Sequence, residues 1–365
     1  MSAHRESVSN ALDRQSAFSG TRPVSNAYRI DLDRLAAYLE RAMPGFSGPL
    51  SAEQFKGGQS NPTYKLTSPL GDFVLRRKPP GNLLPSAHAV DREYRVIDAL
   101  HRARFPVPRP RCFCSDDAVI GTAFYVMDFV SGRVFWEPFA PGTSAAERQA
   151  LFESLNSTIA TLHRLDPKAL GLGDFGRPEG YLRRQIKRWS EQYRASASDI
   201  LPEMERLMQW LPQTCPEDSG AAVVHGDFRL DNCIIAEDRA QVVAVLDWEL
   251  STLGDPLADF TYHLMQWFMP NTPDGIGTLA GHENDPGIPS LEAYVARYCL
   301  RTGRSGLPAL DFYLAYNFFR LAAILEGIAG RLRAGTAINA NAAVMAGQVL
   351  PLARRAWAFA EKAGA

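Results

Sequence analysis

Three oxygen-bearing side chains stand close together in "VVHGDFRLDNCIIAEDRAQVVAVLDW" (223–248): Asp227, Asn232 and Asp247. An apolar run ends in His-Gly-Asp, a short loop leads to Asn232, and the apolar "CIIA" begins at once. If Glu237 to Ala240 form a turn, Ala236 faces Gln241 and Asn232 lies opposite Val245. Asp247, two residues further on, points to the same side as Val245, because strand side chains alternate. Diagonal neighbours across such a ribbon are about 7–8 Å apart. An amide oxygen and a carboxylate would then share one end of a hairpin, where a hard cation could bridge them. Mg2+ takes oxygen ligands and needs few protein groups when phosphates supply the rest. Asp227 adds a carboxylate able to orient a hydroxyl and accept its proton. Together these are the parts of a phosphoryl-transfer site. The plain alternative makes His-Gly-Asp a turn and Asp-Trp-Glu a strand end.

The segments that must position these groups differ along the chain. Residues 1–27 are polar and without periodicity, which predicts a loose arm. "DLDRLAAYLERAM" (31–43) has apolar residues at helical spacing and stops at Pro44-Gly45. "AEQF", "TYKLT" and "DFVLRR" read as strands separated by the turns "KGGQSNP" and "SPLG". Residues 86–103 form an amphipathic helix with Ser86 as its N-cap. "VPRPRCFCSDD" and "AFYVMDFVSG" add two strands. After Gly132 the pattern turns helical, with helices over 144–165, about 178–195 and 201–211, and the 223–248 hairpin set among them. The reading is an α+β chain with an N-terminal β-rich lobe over 28–131 and a larger helical lobe over 132–365.

The upstream lobe carries its own signals. Gly57 and Gly58 allow backbone amides to approach phosphate oxygens, and Ser60 offers a hydroxyl. The alternative is an ordinary hairpin turn. Arg76 is a cation on the next strand and Glu93 an acid on the next helix. A strand cation paired to a helix Glu, with the cation serving the α- and β-phosphates, is the protein-kinase arrangement. Asp227-x4-Asn232 has the spacing of the kinase catalytic loop, and Asp247 stands where the kinase metal motif has its Asp. Glycine turn, strand cation, helix Glu, the strand "FYVMDFVSG", Asp-x4-Asn and Asp also follow one another in kinase order.

On these motifs, "GGQSNPTYKL", "FVLRRKPPG", "FYVMDFVSGR", "HGDFRLDN" and "VLDWELSTLGDPLADF", the chain resembles the aminoglycoside phosphotransferase and choline kinase branch of the kinase-like fold. Within that branch it is similar to the group related to the kinase-like domain of certain acyl-CoA dehydrogenases. The resemblance covers about residues 30 to 350. It implies a bilobal fold, ATP and Mg2+ as cofactors, and transfer of the γ-phosphoryl group to a small-molecule hydroxyl. It makes Asp227 the base, Asn232 and Asp247 the metal ligands, and Arg76 and Glu93 the lobe-spanning pair. The backbone from Asp128 through Phe129 to Val130 would hold adenine. His225 would position the loop, and Asp255 and Asp259 would cap and anchor the following helix. The sequence departs from the kinase pattern at Arg76, where kinases carry Lys; a planar fork is no conservative replacement for an ammonium. Asp-Trp-Glu replaces Asp-Phe-Gly, with no room for a long activation loop before "LGDPLADF".

Composition narrows the partners. With 46% hydrophobic and 22% charged residues and a net charge of −1, the 365-residue chain has ordinary globular composition and no field to draw nucleic acid or anionic membrane. No apolar run nears the ~20 residues of a membrane span, and no signal-peptide layout is present, so the expectation is a cytoplasmic protein. Five scattered Cys argue against a disulfide framework, and Cys112-x-Cys114 reads as two thiols on a strand. "GLGDFG" (171–176) follows a helix, not a strand, and so is no dinucleotide fingerprint. P-loop and serine-hydrolase motifs are absent.

The acceptor is less legible. From Asp255 onward nine acidic residues balance nine basic ones, so the helical lobe lacks the acidic excess expected around a polycationic aminoglycoside. Arg183, Arg184, Lys187 and Arg188 form one basic helix face, either a solvated surface or a seat for an anionic carrier such as coenzyme A. With apolar stretches such as "FYLAYNFFRLAAIL", this favours a hydroxyacyl-CoA acceptor. The competing readings are a nucleotide-binding pseudokinase acting as an interaction module, an antibiotic kinase and a protein kinase.

Overall fold

The computed structural model describes residues 14–57, 61–79, 89–271, 277–335 and 342–365. Along the chain run α1 (Arg14–Phe18), β1 (Thr21–Pro23), α2 (Leu32–Ala42), β2 (Ser51–Phe55), β3 (Thr63–Ser68), β4 (Gly71–Arg77), α3 (Val90–Arg102), β5 (Pro110–Cys114), α4 (Asp117–Ile120) and β6 (Phe124–Asp128). The helical half follows with α5 (Ala145–Arg164), α6 (Tyr181–Ser196), α7 (Pro202–Thr214), β7 (Ala222–Val224), β8 (Cys233–Ile235), β9 (Val242–Val245), β10 (Thr252–Gly254), α8 (Pro256–Leu264), α9 (Leu291–Thr302), α10 (Leu310–Arg333), α11 (Ala342–Gly347) and α12 (Val349–Lys362).

The first half is a six-stranded antiparallel sheet in the order β1-β2-β3-β4-β6-β5. Its central strands are buried on both faces, as the alternation in β4 shows. Phe73 and Leu75 join the core under α2 with Leu35 and Leu39. Val74 points the other way, into the core shared with Val96, Ile97 and Leu100 of α3. Period-2 alternation meeting two amphipathic helices thus fixes the order helix, sheet, helix. The second half packs α5 to α12 around α10, of which sixteen residues are buried. Two ribbons pair β7 with β10 and β8 with β9, and the second meets the first half where the Val245 amide donates to Pro106 O at 2.8 Å. This is the bilobal α+β kinase-like architecture that the motif order implies.

Two expectations need correction. The loose arm over 1–27 is not loose from Arg14 onward. Strand β1 pairs with β2 in the register Thr21↔Phe55, and Gln15 Nε2 donates to Val134 O at 2.9 Å. The Phe18 ring lies 5.1 Å from Trp136. The segment is polar in composition because it is an edge strand with one anchoring aromatic, and periodicity cannot reveal so short an element. The N-cap expected at Ser86 lies outside the described residues, and α3 begins after Ala89 with no side-chain cap. All five cysteines are free and buried; burial pushes the Cys112 thiol up to about 12.

Candidate functional site

The 223–248 segment enters as β7, turns at Gly226, passes through a single helical turn over Leu230–Asn232 and leaves as the β8–β9 ribbon. Gly226 has φ +85°, and a Cβ there would meet Leu250 O at 2.9 Å, so the turn needs glycine twice over. The ribbon register differs from the expected one. Cys233, not Asn232, pairs with Val245, and an irregularity between Ile234 and Ile235 absorbs the offset. Simple alternation would then put Asn232 and Asp247 on opposite sides. The structure recovers the shared side differently: Asn232 sits in the helical turn, and Asp247 adopts left-handed φ +63° just past the ribbon. Both line one cleft of about 690 Å³ between the lobes, together with Arg76, Val74, Met127 and Trp248.

Asp227 is held on both oxygens. Asn232 Nδ2 donates to Oδ2 at 3.1 Å and to the Asp227 carbonyl at 2.9 Å. Tyr262 OH donates to Oδ1 at 2.7 Å. The same amide bonds turn Asn232 so that its Oδ1 stays unclaimed among the described residues. Arg229 stands 3.7 Å from Asp227 Oδ1 and pairs with Asp231. Burial opposes its charge, but Asp231 and Asp227 outweigh that and raise the guanidinium further.

Buried groups hold the loop from behind. The Asp227 amide donates to His225 Nδ1 at 3.1 Å, so Nε2 carries the ring proton and gives it to Leu246 O at 2.8 Å. His225 is thereby a neutral brace between loop and ribbon. Asp259 accepts the amides of His225 and Gly226, both at 2.8 Å, and His163 Nε2 at 3.1 Å. Burial works against its charge, yet His163 and the loop donors leave the carboxyl below its ordinary value. Asp255 caps α8 through the Leu257 amide at 2.8 Å and also takes Ser219 N and Tyr313 OH. Asp255 is thus the N-cap of α8, as expected, while Asp259 reaches beyond the helix to the backbone of the 225–226 turn.

On the sheet side, Arg76 Nε lies 2.8 Å from Glu93 Oε2 and Nη2 lies 2.6 Å from Asp247 Oδ1, with Glu249 at 3.4 Å. Glu93 also receives Asn61 Nδ2 at 2.7 Å and Tyr125 OH at 3.0 Å. Burial raises the Glu93 carboxyl, against the pull of Arg76. For Arg76 burial is again the opposing influence, and Asp247 with Glu93 raises it overall.

Other predicted residues fall in varied places. Gly58 and Ser60 lie outside the described residues. Gly57 is on the cleft wall, but a Cβ there would meet Trp136 Cη2 at 2.8 Å, so a neighbouring ring as well as any phosphate requires it to be small. Asp128, Phe129 and Val130 line the cleft. The amides of Asp128 and Phe129 are spent on Arg109 O and Asp72 O, and the Asp128 carboxylate on Arg111. Arg183, Arg184, Lys187 and Arg188 are not brought to the cleft. Arg183 and Arg184 donate to backbone carbonyls, Lys187 stands 3.9 Å from Glu191, and Arg188 lies over the Trp189 ring. Sequence reasoning missed Tyr262, Asn61 and Arg320. Arg320 Nη2 donates to Gly226 O at 2.7 Å from within α10. A lone Arg inside the apolar "FFRLAAIL" was its one signal.

Beside Asp227 a second, smaller hollow of about 50 Å³ opens between Arg229, Tyr262, Met265, Met269, Leu321 and Trp136. Asp231 and Trp136 line both spaces. The arrangement has one large cleft, a smaller hollow, and the Asp227 carboxylate bonded to a residue on the wall of each, Asn232 and Tyr262. Among the described residues no three His, Cys, Asp or Glu cluster as a metal cage. The donor set suits Mg2+ none the less. Asn232 Oδ1 and Asp247 Oδ2 are both oxygens free of other bonds among the described residues, and both are on the cleft, where phosphates would complete the shell.

Fold and site together define a kinase-like phosphotransferase. The chain belongs to the phosphotransferase enzyme family, whose family model matches residues 51–313. It is 42% identical over 94% of its length to acyl-CoA dehydrogenase family member 10 of Mus musculus. The match covers only 32% of that protein, so the chain spans about a third of its length. A solved structure from Ralstonia eutropha, named as an aminoglycoside phosphotransferase, is 45% identical with a TM-score of 0.82, covering 92% of this chain and 99% of the other. Spectinomycin phosphotransferase, solved with ADP and spectinomycin, shares the fold at TM-score 0.59 and 11% identity, over 91% of this chain and 98% of its own. No helix among the described residues is long and apolar enough to cross a membrane.

Proposed function

We propose that the chain is an ATP- and Mg2+-dependent small-molecule kinase, with a hydroxyacyl-CoA as the acceptor class. The observation that carries this reading is that Arg76, Asn232 and Asp247 line one interlobe cleft, with Asp227 bonded to Asn232 and Glu93 paired to Arg76 just behind its wall. Bound Mg2+ would neutralise phosphate charge, and Asn232 Oδ1 and Asp247 Oδ2 would hold it. The cleft wall from Asp128 to Val130 would receive the base, with the Val130 amide as the reader because its two predecessors are already bonded. A solved structure of the same fold is a complex with ADP and spectinomycin, which supports a nucleotide as one ligand of such a fold.

Asp227 takes the role of base. The acceptor hydroxyl approaches from the apolar hollow and forms a bond to the γ-phosphorus as the bond to the β–γ bridging oxygen breaks. ADP leaves, and the hydroxyl proton passes to Asp227. The apolar lining of the hollow favours an aliphatic acceptor over a polycationic sugar. Kinship with acyl-CoA dehydrogenase family proteins points the same way. Phosphorylation would turn an acyl-chain hydroxyl into a leaving group. The helix face of Arg183, Arg184, Lys187 and Arg188 lines neither the cleft nor the hollow and gives no support for a coenzyme A seat.

ADP release with Mg2+–ATP across a panel of hydroxyacyl-CoAs, aminoglycosides and free hydroxy acids tests the proposal. The expected result is acceptor-dependent turnover with the hydroxyacyl-CoAs, reduced about 10²–10⁴-fold by Asp227→Ala. Nucleotide binding without transfer to any acceptor would establish a pseudokinase instead.

A further inference from the structure

We propose that Tyr262 is a positioning residue that fixes the Asp227 carboxylate for the acceptor hydroxyl, an inference that rests on Asp227 serving as the base. A carboxylate on a loop is free to rotate about its terminal torsion, and a base that rotates is out of line for much of the time. Here both oxygens are held, and by different elements. Asn232 in the loop takes Oδ2, while Tyr262 on α8 takes Oδ1 at 2.7 Å.

Helix α8 delivers this grip with two side chains one turn apart. Residues at i and i+3 of a helix share a face. Asp259 binds the loop backbone at His225 and Gly226, and Tyr262 binds the loop's reactive side chain. The phenol is itself immobilised: the residue is buried, and the Arg320 guanidinium lies 5.1 Å above its ring while also holding Gly226 O. Tyr262 also lines the apolar hollow, so its hydroxyl lies at the border where the acceptor oxygen must meet Oδ1. With one direction of Oδ1 taken by the phenol, the remaining lone pair is the one that an entering hydroxyl can use. The other charged groups facing Asp227 are Arg229, 3.7 Å from Oδ1, and Arg320 beyond the Tyr262 ring. Neither makes a hydrogen bond to the carboxylate among the described residues.

The test compares Tyr262→Phe, Asp227→Asn and the double variant with Mg2+–ATP and 3-hydroxybutyryl-CoA, with water-dependent ADP release followed in parallel. A crystal structure of Tyr262→Phe supplies a readout independent of turnover. The expected result is a kcat lowered about 10–100-fold with the KM for ATP within about twofold. In the Asp227→Asn background the same substitution should change kcat by less than about twofold, because its effect runs through that carboxylate. The crystal structure should show the Asp227 carboxylate turned or split between conformers. Wild-type kcat in Tyr262→Phe, or an equal loss in the Asp227→Asn background, overturns the role of Tyr262 and leaves that of Asp227 standing. Wild-type turnover by Asp227→Asn removes the base assignment, and this inference with it.

Discussion

Arg76 bridges the two lobes, with Nη2 2.6 Å from Asp247 Oδ1 while Nε stays 2.8 Å from Glu93 Oε2. A kinase Lys offers one ammonium for this place; the guanidinium reaches a helix acid and the ribbon-end acid at once. Its removal leaves two carboxylates near one another, of which Glu93 is 1% exposed. Breaking a buried pair costs about 3–5 kcal/mol because a charge is stranded. Arg76→Ala is expected to lose stability of that order in urea unfolding, and Arg76→Met with Glu93→Gln to recover most of it. A double variant as unstable as Arg76→Ala would mean that the pair is not the source of the loss.

Asp259 should govern the loop more than the fold around it. Asp259→Asn keeps an acceptor oxygen for one loop amide and leaves the other amide facing an NH2 group. A buried donor left unpaired costs roughly 1–3 kcal/mol. Turnover is expected to fall about tenfold or more while the affinity for a nucleotide analogue, measured by calorimetry, changes little. Loss of nucleotide binding in step with turnover would contradict this division.

His263 predicts an acid-sensitive core. Its Nδ1 donates to Phe228 O and its Nε2 accepts from Tyr294 OH, so it is bound as the neutral ring. Burial pushes it down to about 4, below the ~6.5 of an unfolded chain. Below about pH 6.5 the unfolded state gains a proton that the folded state refuses. Stability present above that pH is therefore lost as pH falls towards about 4, by roughly 3 kcal/mol in all. Urea midpoints from pH 7.5 to 4.5 should show the slope, and His263→Asn should flatten it whatever its absolute stability.

The N-terminal segment closes the outer side of the cleft. Phe18, Ser19 and Gln15 all contact Trp136, and all line the same space. An aromatic pair of this kind is worth about 0.5–1.5 kcal/mol beyond the area it buries. Phe18→Ala is expected to weaken nucleotide binding about 2–10-fold and to expose residues near 20 to limited proteolysis. Unchanged proteolysis with unchanged affinity would show that the segment is not a wall of the site.

Much of this could be read in the linear chain, and the reasons are local. Alternation in "DFVLRR" and helical spacing in 31–43 and 144–165 are short-range patterns, and they gave the sheet lobe and the helical lobe. Asp227, Asn232 and Asp247 stood out because a loop and ribbon carry them within one short stretch. The ribbon register, by contrast, was misjudged by one residue, since a bulge between Ile234 and Ile235 leaves no mark in composition. The site survived that error only because Asp247 takes a left-handed backbone just past the ribbon.

Sequence by itself determined the element types, the order of the chemical groups and the family resemblance, because these depend on neighbours along the chain. Tertiary structure decided what closes on those groups: Tyr262 and Arg320 arriving from two helices, Phe18 from the N-terminus, and the basic face of α6 turned to other duties. Such contacts bring together residues far apart in the chain, and their geometry comes from how helices and sheet pack. No periodicity or spacing encodes that.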